Sequence, residues 1–149
     1  MKFKIIPNEQ TPKVNSCKQG EILLENDRQI LIKFLSFARR QINCAGLAAN
    51  QVSLDGERIM EKFFAIKIDH FWDIIVHPII LKEVGKKKEF KEGCLTWLGK
   101  TIYAKRYSEI EVSYYNLKGE LQNRVISGFE AQVWQHEYNH LIGVEEDVR

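Results

Sequence analysis

Apolar side chains recur at helical spacing between Asp27 and Asn43. Leu31, Phe34, Leu35, Ala38 and Ile42 fall on one stripe, and Arg28, Lys33, Arg39 and Arg40 fall on other faces. The spacing predicts a helix, with Asn26 or Asp27 as its N-cap. Phe63 to Ile68 is rich in β-forming residues and reads as a buried strand. Ile74 to Leu81 reads similarly, but Pro78 has no amide donor, which assigns this run to an edge or irregular strand. Ile110, Val112 and Tyr114 keep the period of two expected of a half-buried strand. Asn116-Leu117-Lys118-Gly119 then supplies turn chemistry, and Leu121 to Ile126 returns as the second arm of a β-hairpin. The N-terminal stretch, with two of the three prolines, reads as an extended arm lying on the body.

The last predicted element is a helix of about four turns. Ser127-Gly128-Phe129-Glu130 fits a capping box, and Gly143 suits its C-terminal stop. Phe129, Val133, His136, Glu137, His140 and Leu141 lie on its neighbouring faces. One long helix, several antiparallel strands and a late helix give an α+β fold rather than alternating βαβ units.

Composition narrows the function classes. A chain of 149 residues suits a single domain, here expected to span 1–149. A formal charge of +2 is too small to imply nucleic acid as a direct partner. The densest basic run, Lys86-Lys87-Lys88, is followed by Glu89 and reads as a solvated loop. The start, from Met1 to Pro7, lacks the apolar core of a signal peptide, and no apolar run approaches the roughly 20 residues that span a bilayer. Three well-separated cysteines, Cys17, Cys44 and Cys94, argue for a reducing compartment and leave each thiol free for metal or for packing. A cytoplasmic protein without membrane contact is expected.

His136-Glu137-Tyr138-Asn139-His140 carries the strongest chemical signal. Residues four apart on a helix project from one face, so both imidazoles can reach one metal ion. Glu137 is placed to take a proton from water held at that ion and to pass it to a leaving amine. Two surface histidines would be the plain structural reading, but the capped helix around them supports the metal motif. Hydrolytic sites normally use three protein ligands. Only nine residues follow His140, too few for a second helix bearing a downstream glutamate. An extended motif with a further ligand after Gly143 would need Glu146 where that pattern has histidine. Cys94, in Glu92-Gly93-Cys94-Leu95-Thr96-Trp97, is the better third ligand, although a lone cysteine is more often a small buried hydrophobe. Gly93 beside it permits close backbone approach.

Three segments together resemble the peptide deformylases. That family carries Gly-x-Gly-Leu-Ala-Ala-x-Gln, Glu-Gly-Cys-Leu-Ser and Gln-His-Glu-x-Asp-His in this order. Here they stand as Cys44-Ala45-Gly46-Leu47-Ala48-Ala49-Asn50-Gln51, Glu92-Gly93-Cys94-Leu95-Thr96 and Gln135-His136-Glu137-Tyr138-Asn139-His140. The resemblance implies antiparallel sheets packed around a central C-terminal helix that bears the histidine motif. It implies a mononuclear site that removes the formyl group from N-formylmethionyl peptides as they leave the ribosome. Cys94, His136 and His140 would be the ligands of one divalent metal, ferrous iron foremost, with zinc, nickel or cobalt able to replace it. Glu137 would be the general base. The Gln51 amide and the Leu95 backbone N–H would hold the oxyanion. The backbone around Gly46 and Leu47, with Gly93, would pair with the substrate as an added strand, and Val133 would wall the methionine pocket beside Gln132 and Trp134. A monomer is expected, and a ribosome contact is an open expectation.

The sequence departs from the family pattern at several points. Cys44 replaces a glycine, Thr96 a serine, Leu98 a proline and Asn139 an aspartate. Cys44 reads either as a packed thiol or as a redox-sensitive one. Asn139 loses a charge next to the second histidine, with Arg106 as one candidate partner. The sequence ends at Arg149, without the extension of many bacterial members, as in virus-encoded short forms. Two rival readings stand beside the deformylase one: another small metallopeptidase, or a non-catalytic peptide-binding relative.

Overall fold

The computed structural model describes residues 1–14 and 25–149; Cys17 lies outside them. In chain order the elements are β1 (Phe3–Ile5), α1 (Glu25–Arg39), β2 (Gly46–Ala48), β3 (Val52–Leu54), β4 (Glu57–Arg58), β5 (Phe63–Ile68), β6 (Phe71–Glu92), β7 (Ile102–Tyr115), β8 (Leu121–Ser127), α2 (Gly128–Ile142) and β9 (Asp147–Val148). Single 3-10 turns cover Ala49–Gln51 and Leu95–Trp97. One antiparallel sheet runs β1-β3-β4. The other runs β2-β5-β6-β7-β8, with β9 joining the start of β7.

Both faces of the larger sheet are covered. Alternate residues of β5 belong to different cores: Phe63 and Ala65 pack with Leu31, Phe34 and Ala38 of α1, whereas Phe64 and Ile66 pack with Trp134 and Leu141 of α2. This explains why Phe63 to Ile66 are all buried rather than alternating. Helix α2 packs against β2, β5, β7 and β8, so the histidine motif is held in the middle of the α+β fold. The N-terminal arm lies across it. The Val14 N–H donates to the Leu141 carbonyl at 2.9 Å, and the Ile6 N–H donates to that of Gln51 at 2.9 Å.

Several elements differ from the sequence reading. Helix α1 is already under way at Glu25, so Asp27 sits in its first turn and does not cap it, while the Asn26 side chain lies outside the described residues. Its end comes earlier than the apolar stripe suggests. Arg40 and Gln41 donate i→i−3 bonds to Phe37 and Ala38, Asn43 has φ +56°, and Ile42 is 82% exposed. Pro78 stands where the strand is irregular, one of the two placements expected of it: β5 pairs with β6 only as far as Val76, and the β6–β7 register shifts just beyond. The proline is accommodated because the register shifts between Val76 and Ile79, where His77 takes φ +52°, so no ladder bond is required of it. Lys86–Lys88 is solvated, as expected, but it belongs to β6 rather than to a loop. Ser127 is the N-cap of α2, yet no capping box forms: Ser127 makes no side-chain cap bond, Gly128 has φ +63°, and Glu130 pairs with Arg124. Gly143 does end α2 in the left-handed region at φ +72°.

Candidate active site

Helix α2 delivers His136 and His140 from successive turns, and the segment after β6 delivers Cys94. One ligand atom from each lies within 4.8 Å of the others. The hydrogen bonds around the imidazoles favour one tautomer for each. His136 Nδ1 is 2.8 Å from Glu92 Oε1, and an ionised carboxylate only accepts, so the proton sits on Nδ1. The Thr11 hydroxyl donates to the His140 carbonyl at 3.0 Å and therefore accepts from His140 Nδ1 at 3.3 Å. Both Nε2 lone pairs are then left facing each other at 3.1 Å, with Cys94 Sγ 3.5 Å from that of His140. With both rings neutral, as metal ligation requires, two lone pairs at that distance would repel unless a cation lay between them. Tetrahedral ligation at about 2.1 Å puts two nitrogens roughly 3.4 Å apart, so the donor set fits one metal ion closely.

Glu137 faces the same cleft and is almost wholly buried. Its Oε1 is 3.8 Å from His136 Nε2, and its Oε2 has no partner among the described residues. Burial pushes its carboxyl up to about 7, with His136 pulling the other way. Gly46 lies against it: a Cβ on Gly46 would come within 2.8 Å of Glu137 Cγ, so the backbone of β2 reaches the site only because this residue is glycine.

The other residues singled out from the sequence are placed as follows. Gln51 accepts the Ala48 N–H at 2.8 Å and directs its own amide at Thr96 Oγ1, 2.9 Å, and Cys94 Sγ, 3.2 Å. Thr96 thus supplies its hydroxyl where the family has serine. Leu95 opens a 3-10 turn, whose first N–H groups have no partner inside the turn. Gly93, Leu95, Gly46 and Val133 all border a cleft of about 460 Å³ together with Cys94, His136 and Glu137. Leu47 does not: its side chain is fully buried in the core beneath α1, which leaves only its backbone for a substrate. Gln132 reaches Glu92 at 3.0 Å, whereas Trp134 turns into the core against Phe64. Glu146 is buried but stays outside the three-atom cluster. The Cys44 thiol donates to the Gly46 carbonyl at 3.0 Å, and burial pushes it up to about 12, the behaviour of a packed thiol.

Arg106 does not turn to Asn139 as its partner. It pairs with Glu92 at 2.7 Å, both side chains nearly buried, and Glu92 holds His136. Burial works to raise the Glu92 carboxyl, but bonds from His136 and Arg106 outweigh it and hold the group at about 2. Sequence reasoning missed this string, and it missed Asn50, whose amide ties the Pro12 and His140 carbonyls together at 2.7 Å each. Glu92 was open to discovery, because the first histidine needs an acceptor for its outer nitrogen and Glu92 stands in the Cys94 motif. Thr11 gave no signal. Arg106→Met should lower stability by about 3–5 kcal/mol in urea unfolding, since it strands a buried carboxylate. Adding Glu92→Gln should recover part of that loss; a double variant as unstable as the sum of the singles would refute the pairing argument.

With this geometry in place, the comparisons with known proteins point one way. A model of the polypeptide deformylase family matches residues 8–145. The peptide deformylase of Clostridium beijerinckii is 30% identical over 130 residues, covering 85% of this chain and 89% of that protein. That of Thermotoga petrophila is 35% identical over 99 residues, and the match spans only 57% of its length. Among solved structures, the deformylase of the Vibrio parahaemolyticus bacteriophage VP16T, in complex with actinonin, superposes with a TM-score of 0.79 at 26% identity, covering 95% of this chain and 98% of that one. The Thermotoga maritima enzyme gives the same TM-score and identity, covering 95% and 92%. Three motifs brought onto one cleft and a family match over nearly the whole length agree: the chain belongs to the polypeptide deformylase family.

Proposed function

We propose that this protein hydrolyses the formamide of N-formylmethionyl peptides, releasing formate and the free amino terminus. The observation that carries the reading is the convergence of two Nε2 lone pairs and a thiol beside a buried glutamate with one unpartnered oxygen. A divalent ion held by Cys94, His136 and His140 would polarise water and the formyl carbonyl. Glu137 takes the proton of the attacking water and hands it to the leaving amine, which cannot depart as an anion. The Gln51 amide and the Leu95 N–H receive the charge that grows on the formyl oxygen. The backbone at Gly46, Leu47 and Gly93 aligns the peptide as an added strand, and Val133 meets the methionine side chain. Cys94 as thiolate leaves one net positive charge on the centre, which throws more of the proton transfer onto Glu137. Iron(II) held by Cys94, His136 and His140 would supply the Lewis acidity this reaction needs. The phage relative was solved in complex with actinonin, which supports a ligand-binding role for the family.

A formyl carbon bears only hydrogen as its second substituent, so a tight cleft excludes larger acyl groups by sterics. Iron-loaded protein should therefore release formate from formyl-Met-Ala-Ser, leave acetyl-Met-Ala-Ser intact and fail to cut an internally quenched peptide. Comparable turnover on all three would replace this reading with that of a general metallopeptidase. Action on nascent chains would put the protein in the cytosol near the ribosomal exit, where a monomer suffices for the site described. Among the described residues no helix is long and apolar enough to cross a membrane.

A further inference from the structure

The cleft does not end at the reaction centre. Asn43, Cys44, Ala45 and Phe129 border both it and a second groove of about 940 Å³ that the proposed chemistry leaves unused. The direction of a bound peptide follows from Gly46. This residue abuts Glu137, so the formyl end belongs beside it. Ala45, Cys44 and Asn43 lead away from that point toward the second groove. An extended chain advances about 3.3 Å per residue, so a peptide following this segment carries each later residue further into the groove.

The groove is lined by Ile68, Trp72, Val125 and Phe129 as well as by charged side chains. Arg124 and Glu130 satisfy each other on its wall. Arg39, at the end of α1, and Lys67, on β5, are both exposed into it, and Asp69 is the remaining acid among its described lining residues. We propose that this groove receives the part of the substrate peptide beyond the residues held at the reaction centre, and that Arg39 and Lys67 select acidic side chains there. The proposal rests on the deformylase reading and adds a preference that the reaction itself does not require.

The test uses the full metal-loaded chain and formyl-Met peptides of eight residues with Asp, Ser or Lys at the fourth to sixth positions, beside formyl-Met-Ala-Ser. The acidic peptide should exceed the lysine peptide in kcat/KM about three- to fivefold at low salt, and the ratio should shrink as salt rises. In Arg39→Glu/Lys67→Glu the order should invert. Fluorescence anisotropy of the labelled, already deformylated acidic peptide should follow the same order, a readout independent of turnover. Processing of formyl-Met-Ala-Ser with equal rates on all three long peptides would overturn the groove proposal while leaving the function standing. No processing of any peptide, with metal bound, would overturn the function itself. Equal binding of an acidic peptide that lacks the methionine head would make the groove a separate docking site and refute its role as a continuation of the cleft.

Discussion

Glu137→Gln is expected to lower kcat/KM for formyl-Met-Ala-Ser by at least about 1,000-fold, with kcat carrying the loss and bound metal unchanged. General acid–base catalysis by one positioned group contributes roughly 100- to 10,000-fold, and here one carboxylate serves both as base toward water and as acid toward the amine. Glutamine keeps the shape against Gly46, so the cleft should not collapse or fill. It also removes a charge whose Oε2 is buried without a partner among the described residues. Leaving such a group ionised in the interior costs stability, so the variant should unfold at the same temperature or higher. That combination, a dead enzyme that is no less stable and still binds metal, separates a chemical role from a structural one. A variant that keeps a tenth of the activity would move the proton transfer to another group and remove the centre of the proposed mechanism.

What the sequence disclosed was what is local in the chain. The α1 stripe, the all-apolar run of β5 and the hairpin around Asn116 are set by neighbours a few residues away. Asn116 makes that visible: its side chain accepts the N–H groups of Lys118 and Glu120, and Gly119 takes φ +84°. His136 and His140 are likewise related by one helical turn. The parts that escaped depend on register and on distant packing. The β6–β7 register sets Arg106 opposite Lys88 and Glu92 opposite Ile102 on the same face, so the long Arg106 side chain runs along the ladder to meet Glu92 beside His136 of α2. No window of sequence contains that register. Pro78 was legible as a mark of irregularity, because its missing donor is local, but the bulge that accommodates it against β7 was not. Thr11 and Asn50 touch the His140 turn from parts of the chain far away in sequence, and their side chains are ordinary enough that only the arm's path over α2 gives them meaning. Cys94 stood between these cases. Its residue type was legible, but its distance to the histidines was not.

The largest expected effect on metal is at that cysteine. Cys94→Ala should weaken binding of a divalent ion by well over the roughly 100-fold that loss of an outer-shell contact costs, and should abolish deformylation. Cobalt-loaded protein should show a sulfur-to-metal charge-transfer band that disappears in Cys94→Ala and persists in Cys44→Ala. The two thiols make a fair contrast. Cys94 Sγ sits 3.5 Å from His140 Nε2 and receives the Gln51 amide, at the centre of the donor cluster, whereas the Cys44 thiol donates to a carbonyl and is held protonated by burial. The iron-loaded protein should lose activity in air faster than the nickel- or cobalt-loaded protein, because a thiolate beside ferrous iron is an oxidation target once oxygen arrives. Persistence of the band together with retained metal in Cys94→Ala would assign the third ligand elsewhere. Glu146 would be the first residue to replace, since its carboxylate is buried and has an oxygen without a partner among the described residues. Its carboxylate would then have to move into the cluster from outside it, a displacement that a crystal structure of the cobalt-loaded variant would show or exclude.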